Sequence, residues 1–303
     1  MRIALLGLGD IARKAYLPLI AAMPGITPLL CTRQAAVLQQ LMQQYRITEG
    51  YTELTQLIAA RPDAVMIHSS TDSHFSIAMQ LLNAGIAVFI DKPLSYQLAE
   101  CEQLLALAER KNLLLFVGFN RRYVPLYQPP LVVSPIQLHY QKNRHNLPAD
   151  VRSFIYDDFI HVLDFAHYAS ALHNRGNFKP VVYGRVNAGQ LGCVQVNWQS
   201  GNTLVSASMN RLAGGNFERL EYFADNQHWQ VDNLVQGHLM ADNRQQQLVA
   251  DDWQSTLYKR GFVSMLDAFI QQLAAGGSNT AQNKTVLSSH QLCEFVVQQL
   301  QPG

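Results

Sequence analysis

From the N-terminus to about residue 120, short apolar runs without polar alternation are separated by segments of helical periodicity. The runs at 2–6, 27–31, 64–68, 86–90 and 113–118 predict strands, and helices are predicted from near Ile11 and over 35–45, 74–84 and 96–111. Strands that lack a polar face need cover on both sides, which a parallel sheet between two helical layers supplies. This half is therefore predicted to be a doubly wound α/β domain. After Pro125 the pattern changes. A proline-rich crossover at 127–135 leads into the alternating run 136–145, and a helical stretch follows near 157–172. From about 181 to 249, apolar and polar positions alternate between turn sequences such as QSGN and ADNQ. That alternation predicts antiparallel strands. Two helices, near 260–275 and 285–300, complete an α+β domain with a large open, mainly antiparallel sheet. The predicted division is 1–120 and 121–303, and the length suits two domains better than one.

Composition changes this picture little but removes several classes of function. Hydrophobic residues make up 48% of the chain and charged residues 15%, enough apolar material for substantial cores. A formal charge of +1, with the basic residues scattered, offers no field for nucleic acid or an anionic membrane. No run approaches the ~18 uninterrupted apolar residues that span a bilayer. The apolar start MRIALLGLGD is broken by glycine and aspartate, unlike a signal peptide. Cys31, Cys101, Cys193 and Cys293 lie far apart with no CxxC pair, so neither a zinc site nor a disulfide framework is indicated. A cytoplasmic protein with reduced thiols is expected.

Candidate chemistry begins at the first turn. Gly7-Leu8-Gly9-Asp10-Ile11-Ala12 is a GxGxxA pattern placed directly after a strand and directly before a helix. Gly7 permits the tight turn, Gly9 lets backbone approach a pyrophosphate, and Ala12 allows close strand–helix packing. The helix N-terminus offers free N–H groups to the phosphates. The second strand ends in Cys31-Thr32-Arg33, with no carboxylate to accept from a ribose 2′-hydroxyl. A hydroxyl and a guanidinium suit a 2′-phosphate better, so NADP(H) is favoured with NAD(H) as the alternative; the plainer explanation of Arg33 is a solvated loop arginine. Ser69 and Ser70 fall at the carboxyl end of the strand 64–68, where ligands bind in such sheets. With His74 they are further cofactor candidates, although serines in such places also cap helices.

The run 86–90 stops abruptly at Asp91-Lys92-Pro93. Pro93 removes a ladder donor and biases Lys92 towards extended backbone, so Asp91 and Lys92 fall on the sheet's carboxyl edge near the expected nicotinamide. The succession Gly7-x-Gly9-x-x-Ala12, Asp91-Lys92-Pro93 and GFNRRY at 118–123 resembles the Gfo/Idh/MocA oxidoreductase family over essentially the whole chain. HSSTDSHF, LLNAG, DKPL and WQSTLYKRGF are similar to its MviM-like branch. The resemblance implies an N-terminal Rossmann domain joined to an open-sheet domain. It also implies an NAD(P)-dependent dehydrogenase or reductase of sugar- or cyclitol-like substrates, with an Asp-x-x-x-His pair. FIYDDFIHVLDF supplies that pair as Asp157 and His161, which share one helix face at four-residue spacing. In that scheme Lys92 polarises the reacting oxygen, His161 exchanges the hydroxyl proton, and Asp157 orients the imidazole. Asp158 and Asp164 offer His161 other partners, and apart from the family pattern a surface histidine with local carboxylates is the plainer explanation. Two features depart from the family. Asp91 replaces the usual glutamate, and Phe159-Ile160 stand where many members have glycine and a small aliphatic residue, which would narrow the pocket.

Lys142 and Arg144, two apart in the alternating run 136–145, share a strand face and could hold a carboxylate or phosphate, or form a solvated sheet face. Asn120 is a candidate contact to the nicotinamide or substrate, Arg121 to the substrate, and Tyr123 is pocket wall or core. His161, His167 and His173 recur every six residues, a poor helical period, and no HExxH occurs, so no metal is expected. Trp198, Trp229 and Trp253 read as sheet or core anchors. Two alternatives to a dehydrogenase stand beside it: a redox-neutral NAD-dependent glycosidase and a non-catalytic dinucleotide sensor. An acid/base pair argues against the sensor. An open sheet needs a cover, and the family implies a homodimer or higher homo-oligomer through it.

Overall fold

Six parallel strands form the sheet of the first unit: β1 (Arg2–Leu6), β2 (Thr27–Cys31), β3 (Gly50–Tyr51), β4 (Ala64–Ile67), β5 (Ala87–Asp91) and β6 (Leu115–Gly118), in the order β3-β2-β1-β4-β5-β6. The structure, a computed structural model, describes residues 1–172 and 179–301. The first unit comprises Met1–Gly118 and Met265–Leu287; the second comprises Phe119–Ser264 and the residues from Ser288 onward. In the first sheet the strand order reverses between β1 and β4, and such a reversal leaves a crevice at the carboxyl ends. Leu6 lies opposite both Cys31 and Ile67, so the residues that follow, Gly7, Thr32 and His68, open onto that one edge.

The helices of this unit are a segment over 12–20, π-helical at Ala12–Tyr16 and α-helical in α1 (Leu17–Ile20), then α2 (Ala35–Tyr45), α3 (Leu54–Ala59), α4 (Thr71–Asn83) and α5 (Leu98–Lys111). Strand β3 and helix α3 were not predicted, because two residues of strand and six of helix are too short to show a period. β4 and β6 are buried throughout, as strands covered on both faces must be. Phe89 and Phe116 stack at 5.4 Å, and Phe269 meets them edge-on at 5.2 and 5.5 Å. Each such buried ring contributes about 2–3 kcal/mol of transfer free energy.

Among the described residues the second unit has nine strands: β7 (Gln137–His145), β8 (Ala149–Asp150), β9 (Val181–Asn187), β10 (Gln190–Ser200), β11 (Thr203–Ala213), β12 (Phe217–Ala224), β13 (Gln227–Asp232), β14 (Gln236–Ala241) and β15 (Arg244–Val249). Their order is β15-β14-β13-β12-β7-β11-β10-β8, with β9 also on β10. The pairing is antiparallel except between β7 and β11, which run parallel. A parallel pair needs a long crossover, and the intervening helices and strands provide it. The predicted QSGN and ADNQ turns form at Gly201 (φ +57°) and Asn226 (φ +53°). The predicted helix near 157–172 is less regular than its periodicity suggests. It starts with α6 (Val151–Ser153), passes through a π-helical turn at Phe154–Phe159, and continues as α7 (Ile160–Ala171), which packs on β7 and β11. Phe159 and Ile160 are completely buried. α8 (Thr256–Lys259), α9 (Phe262–Ala275) and α10 (Thr280–Leu300) complete the chain. Among the described residues, no helix is long and apolar enough to cross a membrane.

Candidate active site

The glycine turn after β1 is shaped by close packing. Gly7 has φ +88°, and a Cβ there would lie 2.6 Å from Ser69 N and 2.8 Å from the His68 carbonyl carbon, so no other residue fits. A Cβ on Gly9 would meet nothing within 4 Å; its backbone faces open space, as approach by a phosphate requires. Leu8 and Ala12 are buried, while Asp10 and Ile11 are exposed on the first helical turn, where Asp10 pairs with Lys14 at 2.8 Å.

A cleft of about 510 Å³ opens at this edge, lined by Gly7, Leu8, Gly9, Thr32, Arg33, Ser69 and Ser70 among the sequence-predicted residues. Asp10, Ile11, Ala12, His74, Asp91 and Lys92 do not line it. Arg13, Glu53, His68 and Ser73 line it as well and were not anticipated. Arg13 lies one position past the glycine motif and donates from Nε to Leu8 O at 2.9 Å. Glu53 comes from the turn before α3 and supplies a carboxylate near Cys31, whose thiol burial and Glu53 push up to about 11. The cleft therefore carries two guanidiniums, Arg13 and Arg33, and one carboxylate. Ser70 occupies the N-cap position of α4 yet makes no side-chain cap bond; instead Ser73 Oγ lies 2.7 Å from both Ser69 Oγ and Ser70 O. His68 is 5% exposed, neither ring nitrogen has a hydrogen-bond partner among the described residues, and burial pushes its pKa down to about 3.

Behind the cleft, a small polar assembly holds the end of β5. Tyr16 OH donates to Asp91 Oδ1 at 2.8 Å, and the Tyr16 ring stacks on His68 at 4.1 Å. Burial raises the Tyr16 phenol, and the neighbouring Asp91 raises it further. Asp91 is itself raised by burial, partly offset by Lys92 and the Tyr16 hydrogen bond. Tyr16 thus supplies a support for the shorter aspartate. His74 is buried between two carbonyls, Pro93 O at 2.9 Å and Ser69 O at 3.1 Å, and ties the Lys92 turn to the serine turn. Lys92 is half-buried, and its peptide bond to Pro93 is cis.

In the second unit, Asp157 is exposed and His161 half-buried; Asp157 lies in the π-helical turn and His161 in the first turn of α7. The other carboxylates near His161 in sequence are committed elsewhere. Asp158 accepts from Lys142 Nζ at 2.5 Å and from Arg144 at 2.7 and 3.0 Å. Asp164 takes a two-pronged bond from Arg122 at 3.0 and 2.6 Å and one from Ser289 Oγ at 2.7 Å. Lys142 is buried, not on a solvated face, and burial with the charge of Arg121 pushes its pKa down to about 7. Arg144, by contrast, holds the Asp158 carboxyl well below its usual range despite burial. Asp158 is thus shared by two cations, with Arg144 the stronger influence on its carboxyl.

Arg121 grips Glu218 at 3.1 and 2.9 Å, and Tyr140 OH also donates to that carboxylate. Asn120 donates to Arg260 O at 2.8 Å and accepts from Arg121 at 3.1 Å. Both predicted contacts are thus engaged in the internal network of this unit. Burial pushes the half-buried Tyr123 up to about 12. Trp198 and Trp229 are buried as expected, but Trp253 is 97% exposed and is not a core anchor; its neighbours form a short surface helix capped by Ser255. His173 lies outside the described residues, and among these no cluster of metal-ligating side chains occurs.

Residues 1–119 match the model of an oxidoreductase family with an NAD-binding Rossmann fold, and residues 122–242 match that of the YceM-like C-terminal domain. The chain is similar to a putative oxidoreductase YceM of Salmonella typhimurium, 32% identical over 300 residues that cover 94% of this chain and 91% of that one. It is similar to the inositol 2-dehydrogenase of the same organism at 26% identity over 185 residues, 55% of this chain and 54% of that one. A crystal structure of a Gfo/Idh/MocA family oxidoreductase from Vibrio cholerae superposes with a TM-score of 0.93 at 39% identity, covering 99% of this chain and 98% of the other. A dehydrogenase (MviM) from Clostridium difficile gives 0.92 at 25% identity, covering 99% of each.

Proposed function

Because this chain belongs to the Gfo/Idh/MocA oxidoreductase family, we propose that it moves a hydride between nicotinamide C4 and a carbohydrate- or cyclitol-like alcohol or carbonyl. The observation that carries this is the glycine-turn cleft at the switch point of the parallel sheet, with Lys92 at the end of the neighbouring strand β5 between Asp91, which Tyr16 holds, and Pro93, whose carbonyl His74 holds. Gly7, Leu8 and Gly9 would hold the pyrophosphate, Thr32 and Arg33 the adenosine end, and Ser69 and Ser70 the groove wall. When bound, the nicotinamide supplies the hydride acceptor or donor. Lys92 places positive charge where negative charge develops on the reacting oxygen. In the oxidation direction His161 takes the hydroxyl proton as the carbinol carbon loses its hydride and becomes a carbonyl, and Asp157 steadies the imidazolium. The similarity to an inositol dehydrogenase supports a polyol-like substrate.

NADP(H) is the favoured cofactor, because Arg33 and Arg13 offer two guanidiniums to a 2′-phosphate; Glu53 is the one carboxylate opposing it. The outward face of the second sheet exposes Val181, Tyr183, Leu204 and Leu212, which supports a homo-oligomer covering that face, to be measured by light scattering. The activity is tested with Lys92→Met. NADPH affinity should stay within about threefold while hydride transfer to a sugar or cyclitol panel falls by at least about 100-fold. Equal loss of affinity and turnover would make Lys92 a cofactor ligand and refute its role.

A further inference from the structure

On the helix-covered face of the second sheet, three cations gather around one buried carboxylate. Lys142 and Arg144 alternate along β7, Met209 of β11 lies opposite Lys142, and Arg211, two residues further on where the register shifts, is buried as Met209 is. Asp158 is already shared by Lys142 and Arg144. Arg121 and Glu218, next in this network, neutralise each other. Arg211 is left over. It is 8% exposed, its guanidinium lies 5.1 Å over the Phe154 ring, and its Nε has no hydrogen-bond partner among the described residues.

A buried guanidinium normally takes a forked bond from a carboxylate or phosphate, and a buried charge without one is costly. Here no carboxylate of the chain pairs with it among the described residues, whereas each of the four other buried or half-buried cations of the neighbourhood, Arg121, Arg122, Lys142 and Arg144, has one. Burial, with Arg144 nearby, lowers the Arg211 pKa, while Asp158 and Asp157 act in the opposite sense; Arg211 therefore lies within electrostatic reach of the proposed catalytic turn. Arg144, with its side chain about 36% exposed, opens the cluster to solvent.

We propose that Arg211, with Arg144, forms a subsite for an oxyanion of the substrate, a carboxylate or a phosphate, close to Asp157. The subsite names the substrate class of the proposed oxidoreductase, and so rests on that activity: the sugar- or cyclitol-like molecule carries an acid group, and the fork of Arg211 fixes its position relative to the catalytic turn.

Calorimetric titration of the full-length protein with inorganic phosphate and with acetate, with and without saturating NADPH, tests this directly. Saturable binding of one anion is expected, and the tighter of the two distinguishes a phosphorylated from a carboxylated substrate. Arg211→Gln should weaken that binding by about tenfold or more, and Arg211→Lys, which keeps the charge but loses the fork, should fall between it and the wild type. Because Arg211 is buried, Arg144→Gln at the exposed edge serves as a second variant and should weaken the same anion. NADPH affinity, read by fluorescence, should not change in any variant. Failure of the wild type to bind NADPH would count against the dinucleotide site alone, since the anion titrations without cofactor still report on Arg211. Absence of saturable binding of either anion, or unchanged binding in both Arg211→Gln and Arg144→Gln, would overturn the subsite.

Discussion

Lys142 gives the sharpest quantitative expectation. Its ammonium is buried beside Arg121 and Arg144, with Glu218 and Asp158 as counter-charges, and its pKa in the folded chain is about 7 against 10.5 when solvated. Below pH 7 both folded and unfolded chains carry the proton, and the folded state bears the full cost of the buried charge. Between pH 7 and about 10.5 the unfolded chain binds the proton and the folded one does not, so stability rises with pH at up to about 1.4 kcal/mol per unit. Between pH 7 and 9 this amounts to roughly 2–3 kcal/mol. Lys142→Met removes the titration while keeping an unbranched side chain of similar length. All three tryptophans, Trp198, Trp229 and Trp253, lie in the second unit, so their fluorescence during urea unfolding follows the unit that holds Lys142. The stability of Lys142→Met relative to wild type should be greatest and flat below about pH 6, then decline by the stated amount up to pH 9. A difference that stays constant from pH 6 to 9 would show that Lys142 keeps its proton, and would refute the charge arrangement around Asp158.

Three other substitutions probe the first unit. Tyr16→Phe removes the donor to Asp91 Oδ1 and should lower stability by about 1–2 kcal/mol. If Tyr16 positions Lys92 through Asp91, turnover should also fall about tenfold, with NADPH affinity unchanged and the acid limb of the pH–rate profile moved to higher pH. Gly7→Ala forces a Cβ to 2.6 Å from Ser69 N at φ +88°, so thermal unfolding followed by circular dichroism should show a loss of at least about 2 kcal/mol. Arg33→Gln should cost about 10- to 100-fold in NADPH affinity and leave NADH affinity unaltered, read from transfer of protein fluorescence to the nicotinamide; equal losses for both would place Arg33 away from the 2′-position.

The alternation of unbroken apolar runs with helical segments was enough to predict the parallel sheet, because burial on both faces removes polar positions from a strand. Gly7 and Gly9 were legible for a similar reason: a left-handed turn and a close approach each restrict the residue type. The ends of β4 and β5 could be read as the carboxyl edge of the sheet, just past which Ser69, Ser70 and Lys92 lie. Contributions from distant segments had no such local signature. Glu53 reaches the cleft from a loop separated from Thr32 by the whole of α2, and Tyr16 meets Asp91 across 75 positions. His68 looked like the last residue of an apolar strand until its position beside Tyr16 left both nitrogens without partners.

Charge pairing divides in the same way between sequence and tertiary structure. The family resemblance implied an Asp-x-x-x-His pair, and the helical period then singled out Asp157 and His161 as its members. Which carboxylate near His161 was already engaged could not be read in this way, since Lys142 and Arg144 of β7 claim Asp158, and Arg122 claims Asp164. Local order is written in periodicity because neighbouring side chains share a backbone geometry. Partners across a sheet, and the charges left without one, are settled only when the chain closes on itself and desolvation requires buried charges to be paired.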